Sequence, residues 1–594
     1  MKKVLKTLTT LAITVSLCGC SLITNFISKD DSKYKDIEYS QRVCADKPNK
    51  EFTKLLDELV VNIAESDFST MHQFFEHPEN YGIDVNKVEV SLGSLSEESE
   101  EQEKIIENIK SFDVEKLDKD QQNIYYEIVA EDELSNAKDD EKFDYIQNQW
   151  SSMNGVHQDL ISFFTEYILR TEADIADLIT LLNDTPRYMN EVLDYTRKQA
   201  DEGLMHIDYD RVIEDMQNVI NTQDNSAILN ELYDEIEQLN LGLYKTADYK
   251  NQVKIAFNIA FIPSFENAIS VLNELKPKNK ELTGLSNMPN GQEYYTYMVQ
   301  EATGSYEDIE TIRSNLEAEL LTIIVTAQDL MSKNENVFEE ADAVKTQFNT
   351  PEEIMQFLLD NYKKDCVEIS PIQYEINPLS DEQSNDGVVA YFVMPALDST
   401  TKRQIRFNRR DYGDDMSSLD TYTTFAHEGI PGHMFMAQYG LDNYKYNIQH
   451  LYGGLGFTEG YATYSQFKAM EYLDVDQQYI DAYKYNEILT YYYVCLMDIS
   501  IHYDGLSYDE FVEMYSDMFG TDLKALYNQL ADSPASFLSY YYGYLQIENM
   551  RTEAEYVLGS KFNEKEFTDV ILQSGPVNFD IIYRNVCDYI LENK

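Results

Sequence analysis

Residues 421–438 read TYTTFAHEGIPGHMFMAQ and carry His427, Glu428 and His433 within seven positions. The whole chain has only 8 histidines, so a pair this close, with a carboxylate beside the first, is the strongest chemical signal in it. Two neutral imidazoles supply nitrogen ligands for a catalytic zinc ion, and an adjacent Glu supplies a base for water. The familiar form of this arrangement, H-E-x-x-H, sets both histidines on one helix face at i and i+4. Here the second histidine lies at i+6, beyond Pro431 and Gly432. On an unbroken helix six steps turn roughly 600°, leaving the side chains about 120° apart around the axis and about 9 Å apart along it. Pro431 also lacks a helical donor and clashes with the preceding turn. A shared metal therefore requires the helix to break at 430–432 and swing His433 back toward His427.

A third ligand is expected downstream. Glu459 lies in FTEGYATYSQF (457–467), with 25 residues between it and His433. That length lets the chain leave one helix, turn through the glycines of YGGLG and return antiparallel. The alternative is a glutamate favoured only by the dipole at a helix N-terminus. Glu471, about three turns on, reads as a supporting or surface charge. Upstream, the segments VEISPIQYEINP, GVVAYFVMPAL and RQIRFN (between 366 and 410) are rich in β-branched and aromatic residues and separated by turn signals. They predict a small antiparallel sheet directly before the His427 helix, with a free edge that can pair with an extended peptide.

From Asn49 to about Lys364 the pattern is helical, with apolar residues recurring at three- and four-residue steps; Ile309–Leu330 is the clearest long helix. Stripes at Ile161–Asn183, Tyr188–Leu204 and Lys250–Leu275 belong to the same pattern. Scarce Gly and Pro (23 and 13 of 594 residues) favour long helices over a turn-rich β fold. His72, His77, His157 and His206 are scattered through this half and read as structural or surface residues. The net charge of −59 speaks against nucleic acid as a partner, because phosphates require Lys and Arg. It describes a highly solvated monomer.

At the N-terminus, Lys2, Lys3 and Lys6 precede an apolar Leu8–Leu17 too short to span a bilayer as a stable helix. Leu17-Cys18-Gly19-Cys20 then resembles a bacterial lipobox, with Cys20 the lipidated residue. The expected organisation is a signal peptide at 1–19, a lipid-anchored tether at 20–45, a helical region at 46–364 and a catalytic region at 365–594. The protein would sit on the outer face of the plasma membrane, held by its N-terminal lipid alone. Cys44, Cys366, Cys495 and Cys587 form no CxxC pair and leave two disulfides or lone thiols open.

The second half resembles the bacterial "domain of unknown function 885" family. The matching pieces are HEGIPGH (427–433), EGYATY (459–464), DISIHYDGLS (498–507), SPASFLSYYYG (533–543) and EFTDVILQSGPV (566–577), in that order. The resemblance implies a mainly α, zincin-like peptidase architecture, with His427, His433 and Glu459 as ligands of one Zn²⁺ and Glu428 as base. The sequence departs from the family pattern at Met434, at Gln466 in place of a common Glu, and at Ala535-Ser536 in place of a common Gly-Gln.

Further residues fit roles in such a site. Tyr540, matching a family tyrosine, and His502 are candidate donors to the oxyanion formed when water attacks a carbonyl. Asp498, four residues before His502, is a candidate to orient it. Arg551 is a candidate to bind a peptide carboxylate, and His450 reads as a surface residue. The expected function is zinc-dependent hydrolysis of peptides outside the cytoplasm. The alternatives are a metal-dependent amidase acting on cell-wall or modified peptides, and a non-catalytic binding lipoprotein.

Overall fold

The computed structural model describes residues 37, 39–95, 99–222, 226–379, 389–399, 401–408, 416–520 and 522–594. The leader, the lipobox and Cys20 lie outside them. The chain is mainly helical, with one small sheet. Local chemistry accounts for the long helices. Asp308 caps Ile309–Lys333 by accepting from the Thr311 N–H at 2.8 Å, and Ile309, Ile312, Leu316 and Leu320 form its buried stripe. The two apolar stripes flanking Pro186 belong to one helix, Glu172–Glu202, opened by a Thr171/Asp174 capping box and closed at Gly203 with φ 73°. Pro186 removes one hydrogen bond, but fully buried Leu181, Leu182, Met189, Val192 and Leu193 lie on both sides of it, and their burial outweighs that loss.

The apolar interior divides near residue 280 rather than at 364. One cluster runs from Phe52 to Leu275 without Phe143 and Ile146, which pack in the other, and is joined by Tyr446 and Ile448. The other takes in Leu282–Leu358 together with the region from Cys366 to Ile590. The stretch read as a tether is also docked onto the body from Tyr39 onward. The Tyr39 hydroxyl donates to Glu553 at 2.6 Å, and Arg42 donates to Asn123 and Asn585 and pairs with Asp588. The four cysteines Cys44, Cys366, Cys495 and Cys587 are unpaired thiols.

The strands are β1 (Tyr374–Pro378), β2 (Ala390–Val393) and β3 (Arg403–Phe407), in spatial order β1-β3-β2. The sheet is mixed, not antiparallel. β2 and β3 pair antiparallel, whereas β1 flanks the other side of β3 and runs parallel to it. Alternation in sequence marks a strand but carries no information on which neighbour it takes.

Five helices carry the site: α1 (Leu419–Glu428), α2 (His433–Asn443), α3 (Leu455–Ala469), α4 (Gln477–His502) and α5 (Ser536–Leu558). α3 and α5 cross at glycines. A Cβ on Gly460 would lie 2.5 Å from the Gly543 carbonyl carbon, and one on Gly543 would lie 2.2 Å from the Gly456 carbonyl oxygen. The backbones touch, which brings Glu459 of α3 against Tyr540 of α5. Asp498 on α4 sets the start of α5: it accepts from the Ala535 N–H at 3.1 Å and from the Tyr295 hydroxyl at 2.5 Å. Ala535 has φ 63°, a left-handed conformation that glycine adopts more readily.

Buried carboxylates make stability depend on pH. Burial pushes Asp498 up to about 7, against the pull of Tyr295 and Ala535. Glu127 and Glu131 are raised by burial and by neighbouring carboxylates. In the unfolded chain these groups titrate near 4. The native state therefore holds more protons than the unfolded state between about pH 4 and 7, and stability falls as pH rises through that window. Self-repulsion at a net charge of −59 acts in the same direction. The urea midpoint is expected to be higher at about pH 5 than at about pH 8, and a flat or inverted profile would contradict these assignments.

Candidate metal centre

α1 is capped by Ser418, which accepts from the Thr421 N–H at 3.1 Å, and ends at Glu428. The chain then turns through Gly429–Gly432, which includes the cis Ile430–Pro431 peptide, and α2 starts on His433. This is the break the i+6 spacing demands. The turn is closed by the Gly432 N–H on the Ala426 carbonyl (3.0 Å) and the Phe435 N–H on the Gly429 carbonyl (3.1 Å). Both glycines are sterically required. A Cβ on Gly432 would fall 1.8 Å from the His427 carbonyl oxygen, and one on Gly429 would fall 2.5 Å from the Met355 sulfur.

The result is a compact triad. The His427 and His433 rings stand 4.8 Å apart and nearly perpendicular, at 84°. Glu459 Oε2 lies 3.4 Å from the Nε2 atom of each. One ligand atom from each of the three residues falls within 4.8 Å of the others. His427 Nδ1 is 2.8 Å from Gln466 Oε1. A carbonyl oxygen only accepts, so Nδ1 carries the proton and the Nε2 lone pair faces the cluster.

Electrostatics follow from burial and proximity. Burial alone would raise the Glu459 carboxyl, but the imidazoles of His433 and His427 overcome it and hold Glu459 well below the usual carboxylate range. Burial would lower His433, and the carboxylates of Glu459 and Glu428 instead lift it to about 9. Glu428 is raised, chiefly by burial, while the two histidines pull it down. Its carboxylate accepts from the Phe392 backbone N–H on β2, which ties this side chain to the sheet. Tyr540 lays its ring along His427 at 6.2 Å and 12°, and its hydroxyl reaches the Glu459 carboxylate.

A divalent metal fits this donor set. Glu459 Oε2 is buried and has no hydrogen-bond partner, although two ring nitrogens converge on it. A buried carboxylate oxygen left in that condition is costly unless a further group completes it. Two imidazole nitrogens and one carboxylate oxygen are the ligand types of a catalytic zinc site that keeps a position open.

The two remaining candidates are employed elsewhere. His502 is fully buried. Its Nδ1 accepts from the Leu285 N–H at 3.2 Å and its Nε2–H donates to the Leu530 carbonyl at 2.9 Å, so neither nitrogen is free for an oxyanion. Burial holds it down to about 4, and it stays neutral. Asp498 serves Tyr295 and Ala535 rather than His502. Arg551 donates to Glu564 at 2.9 and 2.8 Å and to Glu555 at 3.1 Å, with its guanidinium over Phe562, and is a structural brace. Both misassignments come from reading polar residues near a motif as facing the site, when helix rotation points them into other contacts. His450 is half-buried against Tyr444 rather than a plain surface residue. Gln466, noted in the sequence only as a departure from the family pattern, is the side chain that meets His427. It lies seven residues after Glu459, two helical turns and nearly the same face, and that spacing was the available signal.

A family model for bacterial proteins of unknown function, DUF885, matches residues 81–586. The chain belongs to the DUF885 family. The match extends well into the helical first half, beyond the motifs of the second. A comparison with curated proteins finds no match. Among solved structures, a "putative lipoprotein" from Colwellia psychrerythraea aligns at TM-score 0.79 and 16% identity, covering 92% of this chain and 99% of its own. A "putative lipoprotein of unknown function" from Shewanella oneidensis aligns at TM-score 0.58 and 15% identity, covering 90% and 98%. At these identities the likeness establishes a shared fold.

Proposed function

We propose that this DUF885 protein is a zincin-like, metal-dependent peptide hydrolase working outside the cytoplasm. The observation that carries the reading is Glu459 Oε2, buried without a hydrogen-bond partner at 3.4 Å from two imidazole nitrogens, with the Glu428 carboxylate beside them. His427, His433 and Glu459 would hold one Zn²⁺, which when bound supplies Lewis-acid polarisation of water and of a carbonyl. Gln466 fixes the ring of His427 and keeps its proton on Nδ1. Glu428 takes a proton from water as the water oxygen bonds to the peptide carbonyl carbon and the carbonyl electron pair moves onto its oxygen. Tyr540 offers an O–H to that oxygen. The carbonyl then reforms, the C–N pair leaves on nitrogen, and Glu428 returns the proton to the amine. β2 is an edge strand whose Phe392 amide already contacts Glu428, which suits an extended substrate laid along it.

The lipobox at Cys20 and the lipoprotein descriptions of both structural neighbours support anchoring by an N-terminal lipid on the outer face of the plasma membrane. The test of function is metal analysis of the purified chain followed by mass-spectrometric mapping of products from a peptide library and from cell-wall fragments. A stoichiometric metal and cleavage of ordinary peptides are expected. Cleavage of wall fragments alone would favour the amidase alternative, and absence of bound metal would favour a binding protein. Gln466→Leu removes the acceptor for His427 Nδ1 and is expected to weaken metal affinity about 10- to 100-fold with little change in melting temperature of the metal-free chain. Competition with a chelating dye would measure this, and unchanged affinity would exclude that role for Gln466.

A further inference from the structure

Residues from the helices that carry His433 and Glu459 line a mostly apolar cavity of about 70 Å³. At roughly 10–15 Å³ for each water position, this is space for about five waters, or for one branched or aromatic side chain. Its walls continue the elements that build the metal cluster. Met436, Ala437 and Leu441 come from α2, at three, four and eight residues after His433, and so on the helix face that His433 begins. Side chains on a helix lean toward its N-terminus, so Met436 and Ala437 tilt toward the turn bearing His433. Phe457 comes from α3, two residues before Glu459. Met394 and Leu397 follow β2, whose Phe392 amide holds Glu428, and the Leu397 N–H donates to the Phe74 carbonyl at 2.8 Å, which pins that wall. The far end is closed by the His450 ring packed on Tyr444. Among the described residues no charged carboxylate, lysine or arginine lines the cavity, in a chain with 106 acidic residues; Thr458, Gln449 and His450 are its polar side.

We infer that this cavity is the specificity pocket of the site and takes a large apolar side chain, of leucine or phenylalanine size, from the residue next to the bond being cut. This rests on the hydrolase reading above. A mostly apolar pocket gains little from a small side chain and disfavours a charged one, whose desolvation no lining charge compensates. A substrate strand along β2 presents alternate side chains to one face, so one residue can drop into the cavity while the next peptide bond lies near Glu428.

The test uses the zinc-loaded full chain and peptides that differ only by Ala, Leu, Phe, Asp or Lys at each position flanking the cleaved bond. At one flanking position kcat/KM for Leu or Phe is expected to exceed that for Ala by at least about 10-fold, with Asp and Lys lowest. Ala437→Phe fills the cavity from a partly exposed position and is expected to reverse the order, favouring Ala, without loss of metal or a lower melting temperature. Leu441→Ala enlarges it and shifts preference toward Phe, which keeps the idea testable should the first variant fold poorly. A readout independent of turnover is saturation-transfer NMR with N-acetyl-leucinamide, expected to bind the wild type and not Ala437→Phe. Cleavage without size preference, or a Leu preference that survives Ala437→Phe, overturns the pocket while leaving the hydrolase standing. Leucinamide binding that Ala437→Phe abolishes, in a chain that cleaves no peptide, supports the pocket and overturns the hydrolase.

Discussion

Glu428→Gln is expected to retain a full complement of metal and to lose peptide cleavage by a factor of about 10² to 10⁴, the usual contribution of a general base. Glu428 is absent from the cluster of possible ligands, which comprises His427, His433 and Glu459. Removing its charge therefore takes nothing from the cluster. Gln is nearly isosteric, and its amide oxygen can still accept from the Phe392 N–H that positions the side chain. What is lost is the ability to accept a proton from water and return it to the amine. Replacing a buried carboxylate by a neutral amide also removes a desolvation cost, so the variant should melt no lower than the parent. Metal analysis, thermal melting and product mapping on one preparation measure all three. Undiminished cleavage would assign the base to another residue. Loss of metal together with activity would make Glu428 a support of the cluster rather than a base.

Gly432→Ala should have the opposite signature: loss of metal and of stability together, from a single methyl group. The added Cβ would sit 1.8 Å from the His427 carbonyl oxygen and 2.6 Å from that of Ala426. Both are backbone atoms, so no side-chain rotation relieves the contact. The turn must open, the Gly432 N–H must leave the Ala426 carbonyl, and His433 must move away from His427. Overpacking of this kind costs about 1–3 kcal/mol or more, and a ligand displaced by an ångström no longer closes a metal site. Gly453→Ala is the control, because a Cβ there meets nothing within 4 Å. A Gly432→Ala chain that binds metal and melts like the parent would mean that the turn is not what sets the two imidazoles together.

The convergence of His427 and His433 was legible because the chemistry is local and rare. Few histidines, a carboxylate beside one of them and a proline between them leave few arrangements other than a broken helix, and the structure has that break at Gly429–Gly432. Glu459 was legible from chain length and helical pattern. His502 and Arg551 were misread for one reason. Their sequence neighbourhoods resemble site residues, but Leu285, Leu530 and Glu564, brought in from other elements, together with Glu555 one turn along the helix of Arg551, engage them. The mixed sheet is a failure of the same type, since strand order is a contact between distant segments.

The sequence by itself determined the helical class, the break after Glu428 and which side chains are candidates to hold a metal, because each follows from hydrogen bonding, periodicity or side-chain chemistry within a few turns of chain. Only the tertiary structure decided which donors converge, that Gln466 meets the ring of His427, that Tyr540 meets Glu459 across a glycine crossing, and that an apolar cavity is lined from the same helices. These depend on the distance of closest approach between helices, which residues such as Gly456, Gly460 and Gly543 set by what they lack, and a missing side chain has meaning only against the backbone it lets in.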